Sequence, residues 1–564
     1  MNQQMRGCAA GATPGSESLA RPQLPHAREP GDLGGSSPRV VDAEGSRAKA
    51  TSRNAKADAS EESDTPMVPK KSGNSRVTPE DSMEGRRVAD GKDVRGDAGR
   101  TQRREPCVHV TERIGRKARE EKGTRFNNLL SHLKVPLLLE AYGSLRRDAA
   151  AGIDGQTWQE YGEDLEARLS DLEGRLQRGS YHPPPVRRVY IEKGEGKMRP
   201  LGIPTLEDKI AQQAVRMLLE PIYEHSEFLG FSYAYRRGRS QHQALGALEE
   251  AISRKVNWVL DADIRSFFES IDHEWMRKFI EHRIADERLV RLLMKWLKAG
   301  VMEDGERHEV ESGTPQGGTI SPLLANLYLH HALDQWAHQW RGRNARGEMY
   351  IVRYADDVVM AFQYETDARR MREELGARLS TFGLTLHPEK TRLMRFGRFA
   401  ARDSVLDGKR RPETFDFLGF THICAKNSGG NFRLVRRTSR KKRAAKLAKL
   451  SEEIDRRKHH PVVDQHRWLS QVLRGHYQYY GVSTNYRALH TVYATVRRRW
   501  HTALQRRSQR AGWRRDQHER FDERFPLPPP RILHPHFPRP CRPSTVGKSP
   551  VREIRTPGSV RGAR

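Results

Sequence analysis

The stretch that decides the fold is Ile351-Val352-Arg353-Tyr354-Ala355-Asp356-Asp357-Val358-Val359-Met360, where apolar runs enter and leave a pair of adjacent carboxylates. Neighbouring side chains on an extended strand point to opposite faces, so Asp356 and Asp357 reach one site only from a tight turn. Two short strands joined as a hairpin supply it. Crowded carboxylates repel unless a cation stands between them, and Mg2+ prefers oxygen ligands completed by substrate phosphates.

Upstream, the β-rich run Val256-Asn257-Trp258-Val259-Leu260 leads straight into Asp261-Ala262-Asp263, a stretch expected to supply the third carboxylate of the site. Two divalent ions held by such a group would activate an attacking hydroxyl and stabilise a departing pyrophosphate.

The surrounding pattern alternates helix and strand. Leu165, Leu169, Leu172 and Leu176 fall at helical spacing, and the stretch from Val186 to Ile191 reads as a strand after three prolines. Thr205 is expected to cap a helix closed by Pro221, and Ser240 to start another. The stretch from Val301 to Glu311 reads as a hairpin about Asp304-Gly305. Ser321-Pro322 reads as an N-cap and first-turn proline, and a helix is expected from Thr366 to about Phe382. From about Phe432 to Arg510 the pattern is mainly helical and very basic, and a proline-rich tail follows from Pro526. Structure is expected to begin near Phe126. Residues 1 to about 110, rich in Gly, Ser, Pro and mixed charge, carry too little apolar surface to offset chain entropy and read as a disordered extension.

Lysine and arginine number 101 against 72 acidic residues, a balance of +29 over 564 residues. That excess suits a polyphosphate partner, because each neutralised phosphate releases counterions. Cys8, Cys107, Cys424 and Cys541 are scattered, which argues against a zinc ribbon or a disulfide framework. No apolar run approaches the roughly 18 residues of a membrane span, so a soluble, cytoplasmic protein is expected.

Around these carboxylates stand Ala151-Gly152-Ile153-Asp154-Gly155, Gly196-Lys197-Met198-Arg199-Pro200-Leu201-Gly202-Ile203-Pro204, Gly313-Thr314-Pro315-Gln316-Gly317-Gly318, Ser321-Pro322-Leu323-Leu324-Ala325-Asn326, Leu386-His387-Pro388-Glu389-Lys390-Thr391 and Phe417-Leu418-Gly419-Phe420. With Tyr354-Ala355-Asp356-Asp357, and in this order, the blocks resemble bacterial group II intron-encoded reverse transcriptase/maturases. The likeness covers about residues 125 to 510.

The resemblance implies a right-hand polymerase of α/β class. Its fingers and palm would span residues 125–425, followed by an α-helical thumb, or maturase, domain over 432–512 and a short basic tail over 513–564. Asp263, Asp356 and Asp357 match the family's catalytic and metal-binding carboxylates, which hold two Mg2+ ions. Asp263 is preferred to Asp261 because Phe268 follows it at the spacing of the family's sugar gate. Lys197, Arg199, Gln316, Gly317 and Lys390 match nucleotide-binding positions. By position, Arg440, Lys441, Lys442 and Arg443 of the basic region match the part of the family that binds intron RNA.

The implied partners are group II intron RNA, a DNA target and primer, and deoxynucleoside triphosphates, with no membrane. The implied work is RNA-directed DNA synthesis together with support of splicing and mobility. Two departures from the pattern occur. Ala234, Tyr235 and Arg237 stand where the family carries glycine, phenylalanine and proline, and Glu269 stands for the commoner aspartate. The tail offers no metal-site company for His518, His534, His536 or Cys541, so no DNA-cleaving module is expected. Two rivals remain open: an RNA-binding splicing factor with a relic polymerase domain, and a domesticated reverse transcriptase.

Overall fold

The central sheet is built from strands that read as unbroken apolar runs because both of its faces are covered. The computed structural model describes residues 110–194, 197–303, 306–308, 313–314, 317–507 and 513–535. The extension expected before residue 110 lies outside them. Within them the strands run β1 (Val186–Gly194), β2 (Lys197–Ile203), β3 (Trp258–Asp263), β4 (Val301–Glu303), β5 (Glu306–His308), β6 (Met349–Tyr354), β7 (Asp357–Phe362), β8 (Arg392–Arg395), β9 (Phe415–Phe417), β10 (Phe420–Lys426) and β11 (Phe432–Thr438).

The central sheet has the order β6-β7-β3-β8, antiparallel throughout. Along β7, Val358, Met360 and Phe362 face one core while Val359 and Ala361 face a second. The strand period of two therefore sorts one apolar run onto two cores. The first core is filled by helices, among them Leu206–Ser226, His273–Arg283 and Ser321–Leu329. The second is closed by the helix Gln241–Ser253 and the small sheet β11-β10-β9. A third sheet, β2-β1-β4-β5, contains the expected hairpin of β4 and β5.

Beyond β11 come the helices Arg440–Arg456, Val462–Tyr480, Tyr486–Gln505 and Arg515–Arg524, packed around Leu450, Leu469, Leu473, Val492, Val496 and Trp500. Among the described residues no helix is long and apolar enough to cross a membrane. Cys424 is a free thiol.

Several local expectations hold. Thr205 and Ser240 cap their helices by accepting from the backbone N–H of Asp208 and Gln243, and the leucine-spaced helix spans Leu165–Arg178. Others are corrected. Pro221 does not close its helix, which continues to Ser226. An interior proline costs about 3 kcal/mol, but burying Leu218, Leu219 and Ile222 returns roughly 1.5–3 kcal/mol for each. The cap before Pro322 falls on Ile320 rather than Ser321, whose hydroxyl accepts instead from Thr314 Oγ1 at 3.1 Å. Structure begins before Phe126, in a helix over 110–120 held by the buried Ile114 and Ala118. Residues Phe432–Thr438 are a strand, in register with β10. Part of the presumed tail is folded: Leu527 is buried in the third core.

Candidate active site

The carboxylates meet because of strand register. β6 and β7 end their pairing at Tyr354 and Asp357, which leaves Ala355 and Asp356 as a two-residue turn. Ala355 adopts a φ of 58°, a left-handed conformation unusual for a residue with a Cβ. On the other side of β7, Asp357 pairs in register with Asp263 at the end of β3. Three carboxylates thus stand around one strand end.

Like charges directly opposite one another destabilise a sheet, and the titration of the site reflects this. Crowding by protein atoms, then the Asp356 carboxylate, then that of Asp263 push the Asp357 carboxyl up to about 7. Asp357 is nevertheless exposed to solvent at the strand end. Lys390 forms an ion pair with Asp263, and the Asp263 carbonyl accepts from the His387 N–H at 2.8 Å. The block from Leu386 to Thr391 therefore lies directly against the end of β3.

After Asp263 the chain makes a short turn, Phe267–Glu269, that buries Phe267 and leaves Phe268 half-buried. The Phe268 carbonyl accepts from the Thr314 N–H at 2.8 Å. A Cβ on Gly313 would come within 2.8 Å of that carbonyl, and one on Gly317 within 2.5 Å of the Gly202 carbonyl on β2. These two glycines let the loop run between the Phe268 turn and the third sheet.

Arg199 is exposed on β2, in register with Ile191. The backbone of Lys197 pairs with Gly194 on the same hairpin, whereas the Lys197 side chain and Gln316 lie outside what is described. Arg440, Lys441 and Lys442 are exposed on the first turn of the helix Arg440–Arg456, with Arg443 partly covered. Lys442 departs from a purely outward face. Its charge is felt at Asp357, and its Nζ would lie 3.7 Å from a Cβ on Gly419. Arg436, from the same basic run in the sequence, is buried in an ion pair with Glu249 at 2.8 Å and is structural.

Sequence reasoning passed over Asp261. It lies two residues before Asp263, hence on the same face of β3, and burial followed by Asp357 and Asp263 pushes it up to about 7. The strand period could have flagged it.

Carboxylates paired across β3 and β7 beside the Asp356 turn suit a hard divalent cation. Among the described residues they do not close into a complete metal cage by themselves. Polymerase-type sites share their ions with substrate phosphates, so an open set of carboxylates fits such ions.

A family model described as reverse transcriptase (RNA-dependent DNA polymerase) matches residues 191–422, which include the whole central sheet. The fold is that of reverse transcriptase fingers and palm. Three relatives narrow the branch. Group II intron-encoded protein LtrA of Lactococcus lactis subsp. cremoris is 39% identical over 236 residues, 42% of this chain and 39% of its own length. Protein YkfC of Escherichia coli (strain K12) is 34% identical over 316 residues, 50% of this chain and 78% of its own. Nuclear intron maturase 3, mitochondrial, of Arabidopsis thaliana is 28% identical over 181 residues, 28% of this chain and 25% of its own. The chain thus spans well under half the length of LtrA. It belongs to the reverse transcriptase family, in the branch of group II intron-encoded reverse transcriptase/maturases.

Proposed function

We propose that the protein is an RNA-directed DNA polymerase that extends a primer 3′ end with deoxynucleotides, and that it also binds its intron RNA as a maturase. The observation that carries this reading is the register pairing of Asp263 with Asp357 beside the Asp356 turn. It gathers three carboxylates whose mutual repulsion calls for cations. Asp263, Asp356 and Asp357 would hold two Mg2+ ions, which supply Lewis acidity to the attacking hydroxyl and the departing pyrophosphate.

The chain's own groups do the rest. The Phe268 ring, on a turn whose carbonyl accepts from the Thr314 N–H, would exclude a ribose 2′-hydroxyl. Lys197, Arg199 and Lys390 would bind the triphosphate through charge-assisted hydrogen bonds, and Gln316 and Gly317 would belong to the same nucleotide site, next to the template. Lys390 exchanges its hold on Asp263 for phosphate when nucleotide and cations arrive. The helical region after β11 serves as thumb and maturase surface, with Arg440, Lys441, Lys442 and Arg443 on intron RNA. The implied DNA partners are the primer and the target.

Primer extension on an RNA template with Mg2+ and deoxynucleotides tests the reading. Extension by wild type and none by Asp356→Ala is the expected result. Tight RNA binding by a folded wild type that never extends a primer would make the protein a splicing factor instead.

A further inference from the structure

Behind the catalytic turn lies a guanidinium with every donor used. Arg353, fully buried on β6, donates from Nε to Asp334 Oδ1 at 2.7 Å and from Nη2 to Asp334 Oδ2 at 2.6 Å. Nη2 also donates to Ser232 Oγ at 2.7 Å, and Nη1 to Asn326 Oδ1 at 3.0 Å. The fifth bond runs from Nη1 to the Ala355 carbonyl at 3.1 Å. That carbonyl belongs to the peptide linking Ala355 to Asp356.

The cluster draws on three segments besides β6. Ser232 lies just before the departures at Ala234 and Tyr235, and Asn326 closes the block that begins at Ser321. Asn326 in turn donates to the Ala234 carbonyl at 2.7 Å. Asp334 ends a π-helical turn, His330–Asp334, set between two α-helices. One residue too many per turn re-aims the side chains that follow, and such bulges gather at functional sites. Here the residue re-aimed is the partner of Arg353.

Stability does not explain this arrangement. A buried ion pair is typically no better for stability than an apolar pair of the same volume. What the arrangement does supply is orientation, because a planar fork with five filled donors has one position. It grips the turn at Ala355, whose left-handed φ needs an external hold.

We infer that Arg353, locked by Asp334, Asn326 and Ser232, is a positioning residue that sets Asp356 and Asp357 for cation binding by holding the Ala355 carbonyl. The inference rests on the polymerase reading, and it acts through the turn and not on substrate.

The test compares wild type with Arg353→Met/Asp334→Leu, which removes both charges together and avoids an orphaned one, and with Arg353→Lys, which keeps the charge but not the fork. Three quantities are read: the melting temperature, Mn2+ affinity by electron paramagnetic resonance, and kcat against KM for deoxynucleotide. The expected result is a folded double variant whose Mn2+ affinity and kcat each fall about 10–100-fold, with KM little changed and Arg353→Lys in between. Mn2+ affinity and kcat equal to wild type in a folded variant would overturn the inference. Should the double variant fail to fold, Arg353→Lys decides by the same readouts. Should wild type bind Mn2+ but extend no primer, the polymerase reading falls, and the Mn2+ comparison alone still upholds or overturns the role of Arg353. A wild type that binds no Mn2+ at this site even with primer–template and deoxynucleotide present overturns both.

Discussion

At the scale of single residues, the site is a set of short-range constraints, and Phe268 is the most exposed to test. Its carbonyl is fixed by Thr314 and its neighbour Phe267 is buried, so truncating the ring leaves the turn intact. Phe268→Ala is expected to raise ribonucleotide over deoxynucleotide incorporation about tenfold or more, equivalent to ~1.4 kcal/mol of lost discrimination. Single-nucleotide incorporation kinetics would show it, and an unchanged ratio would remove the ring from sugar selection. Asp356 and Asp357 were legible because apolar strands abut them and a turn was the one geometry that gathers both, while the choice of Asp263 over Asp261 came from the family spacing to Phe268. Arg353 was not legible. A polar residue inside an apolar run does not announce its partner, and Asp334 reaches Arg353 only through a π-helical turn that no spacing rule reveals.

At the scale of elements, legibility followed burial. The strands of the central sheet were evident because two cores impose continuous apolarity on them. β11 was not, since its sequence mixes three arginines with its apolar residues, without strict alternation, and merges into the basic run that follows. On this strand Arg436 is held in an ion pair with Glu249 and is withdrawn from the cationic surface. That leaves the first turns of the helix Arg440–Arg456 as the cationic face, where an unbroken basic run at a helix N-terminus has no dipole benefit and is better explained by an anionic partner. Arg440→Ala/Lys441→Ala/Arg443→Ala, with Lys442 retained, is expected to weaken intron RNA binding. It should also reduce the slope of log K against log salt by about one for each phosphate that is no longer neutralised. Extension of a short primer–template should change far less. Filter binding across a salt series measures the slope, and an unaltered slope would place the RNA elsewhere.

At the scale of the whole molecule, the question is what fastens the helical unit to the carboxylate sheet. Tyr479 donates to the Leu418 carbonyl at 3.0 Å, and the Asn485 side chain bonds both the N–H and the hydroxyl of Thr438. The segment 526–535 adds a strap. Leu527 is buried, Leu533 and His534 donate their N–H groups to the Gly481 carbonyl at 2.8 and 2.9 Å, and the His534 ring stacks on His242 at 3.5 Å. Burying one leucine is worth roughly 1.5–3 kcal/mol, and each backbone bond about 1 kcal/mol. A chain ending at residue 525 should therefore lose about 3.5–5 kcal/mol, seen as a lower denaturant midpoint. The strap also carries a pH signature. Burial first, then the charges of His534 and Arg436, hold His242 down to about 4, with the Tyr479 carbonyl opposing them. The folded value lies below the ordinary 6.5, so the unfolded chain binds the proton more readily, and stability is whole above 6.5 and lost as pH falls toward 4. Without His534 and its cover, His242 returns toward 6.5 and that loss shrinks. Urea melts of the full and shortened chains between pH 7 and 4.5 should therefore converge as pH falls, whereas parallel curves would mean that the strap holds the helical unit without involving His242.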